Sequence, residues 1–364
     1  MRMVCTKKNL NTGLIITSRI IGSGNSLPIL NNILFKTEEG RLRLSGTNLE
    51  MAINTWVGGK IEEEGEITVP ARLVNDYVNN IIAEKITINS KNQTLSLEAE
   101  KAQTHIKGLP SEEFPLIPKI KEGIFTKIDG KELSKTIKEV GFASSFSETQ
   151  PEISGILFVF EGDTLTLAAT DRYRLTEGKV KLITPISSQK QIIVPSRAVI
   201  EAARIMGSGV VEIFLGEGQI CFRSPEVELV SRLIEGQYPD YKQIIPKSFT
   251  TEAEINREQF SQSLKAASLF SSENNNIELE LNPQTRQVII KTQTAQVGDS
   301  EIKLDAVISG EKNSIIFNYR YLLECLTNIS DEKVVLKIIS SASPAAIVPL
   351  GRDNYTYIVM PIKI

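Results

Sequence analysis

Histidine occurs once, tryptophan once and cysteine three times in 364 residues. Cys5, Cys221 and Cys325 lie far apart, with no CxxC pair and only His105 to assist them. The donor set of a structural zinc site is missing, and the chain reads as a reduced intracellular protein. His105 falls in the alternating stretch Gln103-Thr104-His105-Ile106-Lys107, where a strand residue is expected rather than a general base. No GxxxxGK[ST] phosphate loop is present, and Gly22-Ser23-Gly24-Asn25-Ser26-Leu27 lacks the final glycine of a dinucleotide fingerprint. Asp171 is flanked by Arg172 and Arg174, yet no nucleophile or second carboxylate accompanies it. These absences argue against an enzyme, and neither a cofactor nor a metal is expected. No uncharged apolar run is long enough to span a bilayer, and the basic N-terminus is not followed by the apolar core of a signal peptide. A cytoplasmic location is expected.

Apolar residues make up 41% of the chain and charged residues 23%, the composition of a folded globular protein. The length suits two or three cores of ordinary size. With 41 Lys and Arg against 44 Asp and Glu, the net charge is −3, so any nucleic-acid site must be a local basic patch.

An internal repeat supplies the organisation. Val69-Pro70-Ala71-Arg72 returns 125 residues later as Val194-Pro195-Ser196-Arg197, and a diverged third copy is Phe317-Asn318-Tyr319-Arg320. Each opens a helical pattern: Leu73, Val74, Tyr77, Val78, Ile81 and Ile82 after the first, Val199, Ile200, Ala203 and Met206 after the second. Proline is expected at the first helical position in the first two copies. The pairs Leu10 and Leu14, Leu133 and Ile137, and Phe260 and Leu264 mark a second helix near the start of each unit. Between the helices lie alternating stretches such as Arg41–Ser45, Thr164–Ala168 and Val288–Lys291, bounded by turn residues and read as antiparallel strands. The expected fold class is α+β, with three repeated domains, each an antiparallel sheet plus two helices, at residues 1–124, 125–250 and 251–364.

The helices carry basic residues away from their apolar stripes. Lys131, Lys135 and Lys138 share one side of a helix, and Arg197 and Arg204 are again seven apart. The third unit contributes Arg257, Lys265 and Arg320, and the first Lys7, Lys8, Arg19 and Arg72. For one helix this pattern is an ordinary solvated face, and Glu132, Glu139, Glu201, Glu258 and Glu324 interrupt it. Recurrence at equivalent places in an acidic chain points to a polyanion. Apart from Trp56, Tyr77 and Tyr173 there is little aromatic character beside these residues, so contacts to the phosphates of duplex DNA, independent of sequence, are expected.

The motifs Leu27-Pro28-Ile29-Leu30, Val69-Pro70-Ala71-Arg72, Ser154-Gly155-Ile156-Leu157-Phe158, Ala169-Thr170-Asp171-Arg172-Tyr173-Arg174-Leu175, Tyr238-Pro239-Asp240-Tyr241 and Tyr357-Ile358-Val359-Met360-Pro361 resemble those of the bacterial DNA polymerase III β subunit family, the sliding clamps. They run from residue 27 to the C-terminus in family order. The resemblance implies a homodimer closed into a ring around double-stranded DNA, opened by a clamp loader complex and tethering the polymerase α subunit and other proteins that carry a clamp-binding motif. It also implies a groove for partner peptides at Ile153, Thr170, Arg172, Tyr173, Arg174, Leu175, Pro239, Gln243, Ile244, Asn318, Tyr321, Val359, Met360, Pro361 and Ile362, in which Arg174 is available to a peptide carbonyl or carboxylate. Outside the resemblance, Thr170-Asp171 reads as a turn that satisfies its own backbone.

The chain departs from the family pattern at three places. The loop around Gly24 lacks the arginine that members often carry there, Gln150 stands in place of an arginine before proline, and Gln243 replaces a basic residue. The first two bear on DNA contacts and the third on partner preference. A repeat scaffold that binds only proteins is the rival to the ring.

Overall fold

The computed structural model describes residues 1–22, 27–118, 120, 123–145, 149–271, 273–294 and 298–363. The loop positions Ser23 to Ser26, Gly24 among them, lie outside the described residues. Seven helices occur among those described: α1 (Lys7–Ser18), α2 (Ala71–Asn80), α3 (Gly130–Gly141), the short α4 (Pro151–Ser154), α5 (Ser196–Ile205), α6 (Arg257–Ser268) and α7 (Tyr319–Asn328).

The repeat survives at the level of single hydrogen bonds. Strands Arg2–Thr6, Thr126–Asp129 and Thr251–Asn256 lead into α1, α3 and α6. An oxygen-bearing side chain ends each strand and takes a helical N–H: Thr6 Oγ1 from Asn9 at 3.2 Å, Asp129 Oδ1 from Lys131 at 2.9 Å, Asn256 Oδ1 from Gln259 at 3.0 Å. The first helical N–H goes each time to a carbonyl beyond the second helix, Lys7 to Glu84, Gly130 to Gly209 and Arg257 to Glu332, at 2.7 to 2.9 Å. Backbone donors that a helix leaves without partners are thus used to set the same chain geometry three times.

The second helix of each copy follows a strand directly. Pro70 is the N-cap of α2 and the last residue of strand Glu66–Pro70, one place earlier than the first helical position expected for it. Pro195 likewise ends strand Lys190–Pro195 before α5. Proline has no N–H to give, so it serves where a ladder stops. In the third copy Asn318 replaces it as N-cap, its Oδ1 accepting the Arg320 N–H at 3.0 Å. The apolar stripe expected after Arg72 is shorter than its spacing implies. Helix α2 ends at Asn80, Ile81 turns to extended backbone, and Ile82 is 100% exposed; the buried set is Ala71, Val74 and Val78.

Two compact units result, Met1–Lys131 with Glu201–Leu233, and Glu132–Ile200 with Ile234–Ile364. The first holds a twelve-stranded antiparallel sheet, in which strand Met51–Glu63 of the first repeat pairs with Val227–Arg232 of the second, Thr55 opposite Val227. Under it Leu10, Leu14, Phe35, Leu44, Val57, Val74 and Val78 form one core. The second unit has a nine-stranded and a four-stranded sheet. Strand Arg174–Lys181 of the second repeat pairs with Tyr355–Val359 of the third, Arg174 opposite Val359. A Cβ on Gly178 of that strand would stand 2.8 Å from both Thr136 and Val140, so the glycine lets α3 lie close on the sheet.

A buried ion pair fastens α3 to the third repeat. The Glu139 side chain is 2% exposed and accepts from Arg352 Nη1 and Nη2 at 2.9 and 2.8 Å, while Arg352 also reaches Asp331 at 2.7 Å. The Glu139 carboxylate is the main cause of a raised Arg352 pKa, against the opposing effect of burial. Glu139→Ala leaves the guanidinium buried without its main partner and is expected to destabilise the fold by about 3–5 kcal/mol. Chemical denaturation checks this, with a Glu139→Leu/Arg352→Met pair expected to recover most of the loss.

Candidate functional site

A segment that carries five of the fifteen expected groove residues begins where strand Thr164–Thr170 ends. Asp171 Oδ1 accepts the N–H groups of Tyr173 and Arg174, both at 3.0 Å, and Thr170 Oγ1 accepts from Arg172 N–H at 3.1 Å while donating to the Arg174 carbonyl at 2.7 Å. Arg172 takes φ 79° at the apex, a left-handed conformation that short side chains normally occupy. The turn satisfies its own backbone, as its residue types imply. It also holds Met360, whose N–H donates to the Tyr173 carbonyl at 2.9 Å, while Ile362 N–H donates to the carbonyl of Ile316 on strand Asn313–Asn318 at 2.8 Å.

Beneath this lies a small apolar cluster of Leu157, Ala168, Leu175, Ile193, Tyr238, Tyr241, Ala346 and Ile358, with Ile245 packed on its flank. Tyr238 and Tyr241 meet edge to face at 6.5 Å. Burial and the Tyr241 hydroxyl's 2.6 Å bond to Glu177 push that hydroxyl's pKa up. Pro239 and Ile244 are exposed, Met360, Pro361 and Ile362 are half-buried, and Tyr173 is 61% exposed and stacked on Tyr321 at 6.4 Å. The arrangement joins a firm buried floor to apolar side chains that remain open to solvent, which suits an extended peptide with apolar side chains. Gln243 donates to Asp240 at 2.7 Å.

The expected roles of four residues change. Arg174 is 7% exposed and each of its nitrogens is engaged: Nε with Asp171 at 2.9 Å, Nη1 with Glu324, and Nη2 with the Phe142 carbonyl at 3.2 Å. Its guanidinium also lies over the Tyr321 ring at 4.7 Å. Burial opposes its charge, but the Glu324 hydrogen bond and the surrounding negative charge leave its pKa raised. Arg174 is thus largely committed to the fold, with one bond at each guanidinium nitrogen. Asn318 spends its oxygen on the cap of α7. Ile153 and Val359 are buried, Ile153 on α4 outside the cluster beneath the groove and Val359 in the core of the third repeat. Glu324 and Phe142 were absent from the expected site; the only sequence sign of Glu324 was a carboxylate among basic helix residues.

Of the basic residues, Lys8, Arg72, Lys131, Lys135, Lys138, Arg197, Lys265 and Arg320 are exposed. Lys7 is half-buried and donates to the Asn79 carbonyl at 3.1 Å. Arg257 differs most from expectation: its guanidinium donates to the carbonyls of Asp331 and Leu326 at 2.9 and 3.1 Å, capping the end of α7. It is committed to the fold. Arg19 and Arg204 share one carboxylate, Glu201. His105 is exposed on strand Ala102–Lys107, 2.8 Å from Ser96 Oγ. The three cysteines are buried and free, and burial lifts the Cys5 thiol to about 12. Among the described residues no group of His, Cys, Asp and Glu could hold a metal ion, and no helix is long and apolar enough to cross a membrane.

Comparison with known proteins agrees along the whole chain. Models of the DNA polymerase III beta subunit match in order: the N-terminal domain at residues 1–118, the central domain at 127–240 and the C-terminal domain at 242–363. The beta sliding clamp of Synechococcus elongatus is 32% identical over 374 residues, covering 100% of both chains, and that of Staphylococcus aureus is 27% identical over 95% of each. The sliding clamp of Bacillus subtilis is similar in structure at TM-score 0.94 and 25% identity, covering 100% of this chain and 99% of that one. A Pseudomonas aeruginosa sliding clamp bound to griselimycin is similar at TM-score 0.94 and 27% identity over 100% of each. The chain therefore belongs to the DNA polymerase III beta subunit family, the bacterial beta sliding clamps, which are processivity factors and not enzymes.

Proposed function

We propose that two copies of this chain close into a ring that encircles duplex DNA and slides along it, carrying the replicative polymerase. The whole-chain family match carries the reading, and the sheets supply its physical logic. Strand Met51–Glu63 of the first repeat is completed by Val227–Arg232 of the second, and Arg174–Lys181 of the second by Tyr355–Val359 of the third. The strand that does this work in the third repeat is Gly298–Asp305, and the strand that would receive it in the first is Ala102–Lys107. Each is the edge of its sheet. An exposed edge is a template for another strand, and a twofold dimer makes that pairing twice.

The working domains are residues 1–124, 125–250 and 251–364. Lys8, Arg72, Lys131, Lys135, Lys138, Arg197, Lys265 and Arg320 are the phosphate contacts, with Arg19 and Arg204 beside them, and Gln150 brings no charge to this set. The open apolar side chains of Tyr173, Pro239, Ile244, Met360, Pro361 and Ile362 accept clamp-binding peptides from the polymerase α subunit, the clamp loader and other partners, all in the cytoplasm.

Loaded by a clamp loader onto nicked circular plasmid, the protein should stay bound and be lost when the plasmid is linearised; retention on linear DNA with free ends overturns the ring. Its mass in solution should be twice the 40.3 kDa of the chain. Met360→Ala with Pro361→Ala is expected to weaken a polymerase-derived peptide at least tenfold by calorimetry with the dimer intact, since two apolar contacts are lost. Arg174→Gln should weaken the same peptide and also lower the thermal midpoint, because Glu324 and Asp171 lose their buried partner. An unchanged midpoint would show that Arg174 is not the support described here.

A further inference from the structure

The helices offered to DNA are not simply basic. Glu201, on α5, is 7% exposed and uses both carboxylate oxygens on arginines: Oε2 takes Arg19 Nε at 2.6 Å and Oε1 takes Arg204 Nη1 at 2.6 Å. Arg19 is the C-cap residue of α1, in the first repeat, and Arg204 lies in the last turn of α5, in the second. The remaining donors of both guanidinium groups have no partner among the described residues. Arg72 and Asp76 on α2 are a looser version, 3.8 Å apart and solvent-exposed.

A buried carboxylate between two arginines does two things. It tethers each guanidinium by one charge-assisted hydrogen bond, which directs the group while leaving its other donors open. It also cancels one of the two positive charges where a phosphate would feel them. A protein that must travel along DNA gains from a grip that is oriented but weak, because every fully neutralised phosphate releases counterions and deepens the well at each position.

We propose that Glu201 is a positioning residue of the DNA-facing surface, which aims Arg19 and Arg204 at the phosphates and at the same time attenuates their charge so that the ring slides. This rests on the reading of these helices as the DNA face. The proposal has an unusual sign: removing an interaction should tighten binding. With Glu201→Gln, affinity for a short duplex at low salt is expected to rise on the order of threefold, and the slope of log affinity against log salt to steepen by about one. Diffusion of the loaded ring along circular DNA should slow in proportion.

The second arm is the same substitution in an Arg19→Gln/Arg204→Gln background, where it should have no effect on affinity or slope. Unchanged or weaker duplex binding by Glu201→Gln, in a dimer of normal mass, overturns the proposal. So does tightening that persists without the two arginines, which makes the effect one of bulk charge. If the arginine pair itself does not alter duplex affinity while the protein remains on circular plasmid, this surface assignment fails and the clamp reading stands.

Discussion

A sheet edge presents a row of N–H and C=O groups without partners, and this chain is organised by how its repeats dispose of theirs. The long strand Met51–Glu63 takes Val227–Arg232, and Arg174–Lys181 takes Tyr355–Val359, so successive repeats are joined by the same main-chain hydrogen bonds that hold each one together. Such bonds do not depend on side-chain identity. That is how repeats so diverged in sequence keep one geometry, and why a solved clamp of 25% identity shares it. It also leaves the first and third repeats each with one strand to offer.

Buried charges refine what backbone pairing begins. Arg174 crosses from the second repeat to Glu324 on α7, and Arg352 crosses from the third to Glu139 on α3. Such pairs add little over a well-packed apolar substitute, but each is costly to break from one side. They therefore discourage any slip between the second and third repeats, which carry the proposed peptide site. The site's chemistry follows: Arg174, Asp171 and Glu324 satisfy one another below, and the groups left open to a partner are apolar. Glu201 extends the same use of carboxylates to the helices proposed to face DNA.

Much of the fold was readable before any coordinates. Helical spacing, turn residues and a shift near 125 residues placed the three copies, because burying one face of a helix or strand imposes a period on the sequence. The fine placement of Pro70 and Ile82 was not readable. Whether a proline ends a strand or begins a helix depends on which partner strand lies beside it. Whether an isoleucine continues a stripe depends on where the core ends. Among the expected DNA contacts Arg257 was misplaced for a related reason: an arginine near a helix start reads as solvent-facing until the carbonyls it caps, 69 and 74 residues away, are brought to it.

The sequence by itself determined the class, the threefold repeat and the family, since these rest on composition and on local order along the chain. Tertiary structure alone decided which charges are spent and which remain. Arg174, Arg19, Arg204, Arg257 and Arg352 are alike in the sequence, and only the carboxylates and carbonyls folded against them separate a support, an attenuated contact and a helix cap. Pairing between residues far apart in the chain leaves no local period, so nothing short of the folded protein could reveal it.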